Sequence, residues 1–165
     1  MRPPLDLDQA PGHLIRRLHQ IAVAAFVQEA AEADITPVQF GLLKVLSDHP
    51  GMDQISLAKR VALDAATSGS VIARLEAKGW IVRSSDSRDR RRKLLQATPL
   101  GLQTLEEVMG AVSKAQDVIL APLAEEERVV LMRLLSKLVA GHEAADAAGG
   151  GGTSARQAAA LSAPE

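Results

Sequence analysis

Apolar residues recur at helical spacing from His13 to about Ala33, through Leu14, Leu18, Ile21, Ala22, Ala25 and Phe26, and this predicts a first amphipathic helix. Thr36-Pro37-Val38-Gln39 is a helix start, with threonine as N-cap, proline at the first helical position and glutamine closing a capping box. The second helix then runs through Phe40, Leu43 and Leu46 to a stop at His49-Pro50-Gly51. Asp53 can cap a short third helix carrying Ile55, Leu57, Ala58 and Val61. Asp64 can cap a fourth, through Val71, Ile72 and Leu75, ended by Gly79.

The period then changes. Residues 80–83 and 94–97 read as two short strands flanking a polar loop. Thr98-Pro99 repeats the cap-plus-proline signal and opens a long helix with Leu102, Leu105, Val108, Met109 and Val112 on one face. Pro122 interrupts it, and Glu125-Glu126-Glu127 opens a last helix through Val130, Leu131, Leu134, Leu135 and Leu138, with acidic residues where the helix dipole favours them. Residues 1–12, with three prolines and a glycine, read as an extended arm. Residues 144–165, with four consecutive glycines at 149–152, read as a disordered Ala/Gly-rich tail.

Composition narrows the class. Aromatics are only 2% and much of the 47% hydrophobic fraction is alanine, which favours helix over sheet. The longest apolar run, Ile21 to Val27, is far short of the roughly 20 residues that span a bilayer, and no secretory signal pattern opens the chain. A cytoplasmic protein with no membrane contact is expected. The absence of cysteine excludes disulfides and thiolate metal sites. No metalloprotease, nucleophile-elbow, Walker or dinucleotide-loop motif is present, so neither an enzyme nor a cofactor is expected.

Charge is where the chain is least uniform. Arg83 to Lys93 holds six of the nineteen Lys and Arg against Asp86 and Asp89, a local charge of +4 on a protein of net charge −1. A localised basic loop between two strands is a phosphate-binding element. Asp86 and Asp89 are expected to pair with Arg88 or Arg91 and stiffen the loop. Arg88 or Arg90 is then free to enter a minor groove, with Arg92 and Lys93 as phosphate contacts. Ahead of the loop, the fourth helix opens on Ala65-Ala66-Thr67-Ser68-Gly69-Ser70, side chains small enough to approach base edges, with Arg74 further along.

Three short helices and a basic hairpin make a winged helix-turn-helix within a mainly α fold. Asp86-Ser87-Arg88-Asp89-Arg90-Arg91 matches the D-x-R-D-x-R wing signature of the MarR-type transcription regulators. The match continues through residues 74–81 before the wing and 95–101 after it, and the resemblance covers about His13 to Gly141. It implies a homodimer that binds a pseudo-palindromic double-stranded DNA operator, most often as a repressor. Residues 36–97 would form the DNA-binding domain, and 13–35 with 98–143 the helical dimerisation region. Thr67, Ser68, Ser70 and Arg74, with Arg88, Arg90, Arg91 and Arg92 of the wing, are the DNA-contact candidates. A two-fold axis would set the two recognition helices about 34 Å apart.

The resemblance also implies a small aromatic carboxylate effector. His13, Arg16 and His19 share one face of the first helix and can bind a carboxylate and ring substituents. Gln39 and Phe40 occupy positions that line the effector cleft in such regulators, although Gln39 has a second assignment in the capping box. Residues 11–17, 21–26 and 36–40 resemble the branch that controls nicotinate degradation, which points to a hydroxylated nicotinate. A solvated polar face, and a ligand-independent or architectural DNA-binding protein, remain the alternatives at this point.

Overall fold

The computed structural model describes residues 6–86 and 92–148. Among the described residues, six α-helices and a three-stranded antiparallel sheet follow in the order α1 (Pro11–Glu29), α2 (Pro37–Asp48), β1 (Met52–Asp53), α3 (Gln54–Arg60), α4 (Ala65–Ala77), β2 (Ile81–Ser85), β3 (Lys93–Ala97), α5 (Pro99–Leu120) and α6 (Glu125–Ala148).

Local capping sets most of these boundaries. Thr36 and Gln39 close a reciprocal box, the Gln39 N–H donating to Thr36 Oγ1 at 3.2 Å and the Thr36 N–H to Gln39 Oε1 at 3.1 Å. Asp53 and Asp64 accept from the backbone of Ser56 and Thr67 at 2.9 and 2.8 Å, and Thr98 accepts from Gly101 at 3.1 Å. Each bond satisfies a donor that a helix start leaves without an intrahelical partner. Gly79 follows α4 with φ +70°, the left-handed conformation that lets the chain leave the helix and enter β2.

Besides the strands, which span Ile81–Ser85 and Lys93–Ala97 rather than 80–83 and 94–97, three boundaries differ from the sequence reading. α1 begins at Pro11, preceded by a 3-10 turn at Leu7–Gln9, so the described part of the 1–12 segment is not an extended arm. Proline is pre-set for the first helical position, and the apolar periodicity that marked His13 begins one turn later. α1 also stops at Glu29 rather than Ala33. The Ala33 N–H bonds to Ala30 O and the Ile35 N–H to Ala33 O, tight turns that carry Ile35 into the core despite the helix preference of the alanines. At the other end α6 runs to Ala148, so residues 144–148 are helical; the rest of the proposed tail, 149–165, lies outside the described residues.

The core gathers beneath the helix-turn-helix. Leu42, Leu43 and Leu46 of α2, Leu57 of α3, Ile72 and Leu75 of α4, Leu95 of β3 and Val108 of α5 are fully buried. Each contributes about 1.5–3 kcal/mol by leaving water. β3 is the middle strand, paired with β2 from Ile81↔Ala97 to Ser85↔Lys93 and with the unanticipated β1 at Met52↔Leu95 and Asp53↔Leu94. Only Ile81 of β2 is buried, so the rest of that strand projects as a wing. α1 packs along α5. By contrast α6 has no buried residue among those whose side chains are described and leaves Val129, Met132, Leu138 and Val139 more than half exposed.

Candidate nucleic-acid interface and effector face

The recognition helix α4 has two unlike faces. Ser68, Val71, Ile72 and Leu75 turn inward. Ser70 and Arg74 are exposed, with Ala66 and Ala73 beside them and Thr67 half-buried. Thr67 Oγ1 donates to the capping carboxylate of Asp64 at 2.6 Å, and Ser70 Oγ donates to Thr67 O at 2.9 Å. A hydroxyl that donates to its own helix keeps acceptor capacity toward solvent.

Ser68 does not belong to this surface. It is 1% exposed, and its hydroxyl donates to Ala65 O at 3.0 Å. Its spacing of three, four and seven residues from Val71, Ile72 and Leu75 places it on the core face, where a small hydroxyl is satisfied by the backbone. The assignment of Ser68 to base reading is therefore corrected.

The wing is described on both sides of its tip. Ser87 to Arg91 lie outside the described residues, so the assignments of Arg88, Arg90 and Arg91, and the pairing of Asp89, do too. The Asp86 N–H donates to Arg92 O at 3.0 Å and closes the loop at its base. Arg92 is not simply turned to solvent: its guanidinium donates to Asp53 Oδ2 at 2.5 Å, where β3 meets the start of α3. Lys93 Nζ donates to Ser85 Oγ across the hairpin at 2.8 Å. Arg83 Nε donates to Glu76 Oε1 of α4 at 2.8 Å, and Arg83 Nη1 reaches Gln54 Oε1 at 3.3 Å. The basic run is thus partly neutralised by carboxylates on the helices beneath it.

The Arg92 guanidinium, and next the Ser56 backbone N–H, hold the Asp53 carboxyl well below the usual carboxylate range. A carboxyl depressed on folding contributes stability that is complete above its unfolded pKa of about 4 and is lost as pH falls below it. Stability measured in urea between pH 5 and pH 2 should therefore decline less steeply in Asp53→Asn than in the parent. An unchanged slope would mean that the ion pair does not persist in solution.

The effector candidates do not converge within this chain. Phe40 is half-buried, with its ring 5.8 Å from that of Phe26. Gln39 is buried, its amide oxygen engaged in the capping box. At 1.5 Å per residue, His13 and Arg16 lie about 20 and 15 Å along α1 from Phe26, and His19 about 10 Å. Arg16 and His19 are exposed and His13 is half-buried. A separate depression of about 380 Å3 lies at the α1–α2 connection, lined by Val27 and residues 30–36, and none of the five effector candidates lines it. Lys78 pairs with Asp34 of this connection at 2.8 Å and sits 4.4 Å from the Trp80 ring centroid, tying the end of α4 to the α1–α2 connection.

A family model described as the MarR family matches residues 35–93, the segment from the end of the α1–α2 connection to the start of β3. The HTH-type transcriptional repressor NicR of Pseudomonas putida is 32% identical over 140 residues, covering 85% of this chain and 89% of that protein. The chain belongs to the MarR family. Members of this family are DNA-binding transcription regulators rather than enzymes, and this holds for the present protein. The structure of Bordetella bronchiseptica BpsR, whose DNA binding is regulated by 6-hydroxynicotinic acid, superposes with a TM-score of 0.79 at 33% identity, covering 83% of this chain and 98% of that one. PcaV of Streptomyces coelicolor, solved with its natural ligand, gives a TM-score of 0.76 at 33% identity over 84% of this chain and 97% of that one. Among the described residues of this MarR-family chain, no helix is long and apolar enough to cross a membrane.

Two features of this interface escaped the sequence reading. The role of Asp53, Gln54, Glu76 and Arg83 beneath the wing depends on pairs from 7 to 39 residues apart, and linear spacing does not reveal them. The inward turn of Ser68 had a visible signal, its helical spacing from Leu75, which the polar character of serine obscured.

Proposed function

We propose that this protein is a homodimeric repressor that grips a pseudo-palindromic operator and is released by a small aromatic carboxylate of the hydroxylated nicotinate class. The observation that carries this reading is the exposed face of α4, formed by small side chains with Ser70 and Arg74, standing beside a wing whose tip sequence is rich in arginine. Thr67, Ser70 and Arg74 are assigned to the major groove, and Arg88, Arg90 and Arg91 to the minor groove and phosphates. The exposed apolar residues of α1, α5 and α6, among them Ile21, Val118 and Leu138, support a second copy as their cover. NicR and BpsR support the effector class, since the latter responds to 6-hydroxynicotinic acid.

In solution, Arg90→Ala should weaken binding to every duplex and make its salt dependence shallower, whereas Ser70→Ala should change which duplexes are preferred. Identical salt slopes for Arg90→Ala and the parent would remove that arginine from the phosphate contacts. Titration of the bound complex with 6-hydroxynicotinate should release DNA, and no heat of binding to the free protein would sink the effector reading. Comparing His13→Ala with His19→Ala then tells whether the ligand uses the distal end of α1 or the turn nearer Phe26. The linkage is a population shift: a ligand preferred by dimers with mis-spaced recognition helices lowers operator affinity by that preference.

A further inference from the structure

Of the carboxylates on the module that must meet negatively charged phosphates, Glu76 and Asp53 are each engaged by an arginine of the wing. Arg83 of β2 is held by Glu76 of α4 at 2.8 Å, and Arg92, preceding β3, by Asp53 at the N-cap of α3 at 2.5 Å. Gln54 joins the two, accepting from Arg83 while its amide nitrogen lies 3.5 Å from where a Cβ on Gly69 of α4 would stand. We propose that Asp53 and Glu76 are positioning residues for operator recognition, holding the two sides of the wing at a set angle to the recognition helix so that wing and helix engage one site as a unit. The proposal rests on the interface reading above.

Beyond Ile81 no residue of β2 is buried, whereas β3 is anchored by Leu95, opposite Arg83, and by β1 as far as Leu94, so β2 is the strand that apolar packing holds only at its start. Beyond Leu94 the sheet is reduced to the β2–β3 ribbon, and a two-stranded ribbon is marginal by itself and twists readily. The five residues of β2 reach about 16 Å, so a swing of about 10° at Ile81 moves the far end of the strand by about 3 Å, a hydrogen-bond length. The braces act on both strands and on two different helices, which resists rotation in a way one contact would not. Partly exposed ion pairs add at most about 1 kcal/mol to global stability, so their larger effect should appear in recognition rather than in unfolding.

Electrostatics alone predicts the opposite sign. Removing a negative charge from a DNA-binding surface should strengthen binding to any duplex. The test therefore compares Asp53→Asn, which keeps the N-cap because asparagine caps as well as aspartate, and Glu76→Gln with the full-length parent. The probes are a duplex that the parent enriches from a random pool and a shuffled duplex of equal composition.

Each variant should lose about ten-fold in affinity for the enriched duplex, the scale of one mismatched base pair, with binding to the shuffled duplex unchanged or tighter. The reversed pair Glu76→Arg with Arg83→Glu should recover affinity relative to either single change. Unchanged or tighter binding of both variants to the enriched duplex would overturn the proposal, leaving the carboxylates as mere competitors of phosphate. Equal losses on both duplexes, or failure of the reversed pair to recover, would also overturn it by indicating a general loss of structure. If the parent enriches no duplex, the interface reading itself fails, a result distinguishable from failure of the braces.

Discussion

Gly101→Ala should destabilise the protein by about 3 kcal/mol, toward the upper end of the cost of overpacking a core. A Cβ at Gly101 would stand 2.2 Å from Trp80 O, 2.9 Å from Trp80 C and 3.1 Å from Leu43 Cδ1. The first two are backbone atoms and cannot rotate away. Trp80 O also accepts from the Thr98 N–H at 2.9 Å, so withdrawing it would break the bond that docks the start of α5 on the start of β2. Thr98 Oγ1 donates to Gly79 O at 2.6 Å in the same junction. Relief therefore requires α5 to lift from the winged module. Urea denaturation should show a lower midpoint with little change in slope. Gly110 in the same helix has nothing within 4 Å of an added Cβ, so Gly110→Ala should be neutral or stabilising by up to about 1 kcal/mol. Equal behaviour of the two variants would contradict the close approach at Trp80.

Leu75→Ala should cost about 3 kcal/mol and carry a functional consequence. Leu75 is fully buried at the inward face of α4, in one cluster with Leu42, Leu43, Leu57 and Ile72. Truncation leaves a cavity under the recognition helix, and neighbours held by α2, α3 and β3 can relax only in part. The same residue seats the C-terminal turn of α4, where the Trp80 N–H donates to Leu75 O at 3.0 Å. Operator affinity at 25 °C should fall only as far as the folded fraction and the seating of α4 fall. Ser68→Ala, one helical turn pair away on the same face, removes a hydroxyl bonded to its own helix and should leave operator choice unaltered. A change of preference in Ser68→Ala would restore that residue to the reading surface.

These two positions show how fold information was distributed. Gly101 and Leu75 both lie in stretches whose resemblance to the MarR family was legible from flanking residues, yet the reason for glycine at 101 is a carbonyl 21 residues earlier in the chain. The candidate interface divides in the same way. The exposed face of α4 follows from its period of 3.6 once Val71, Ile72 and Leu75 are taken as core, and Ser68 then falls inside. Arg92 could not be assigned from its neighbours, because its partner Asp53 is brought beside it by the β1–β3 pairing, and β1 is only two residues long. A strand so short carries no alternation to detect.

What the sequence by itself determined were the features whose physical cause is local. Helix starts at Thr36, Asp53, Asp64 and Thr98 are decided by a side-chain oxygen and a backbone N–H three residues apart, and the end of α4 by a glycine that accepts positive φ. The basic run and its strands were legible for the same reason, since charge and period are read within a few residues. Tertiary structure alone decided where α1 stops and which arginines of the wing are bound to carboxylates. Those outcomes depend on contacts between distant segments, whose free energies override local preference and leave no periodic trace in the chain.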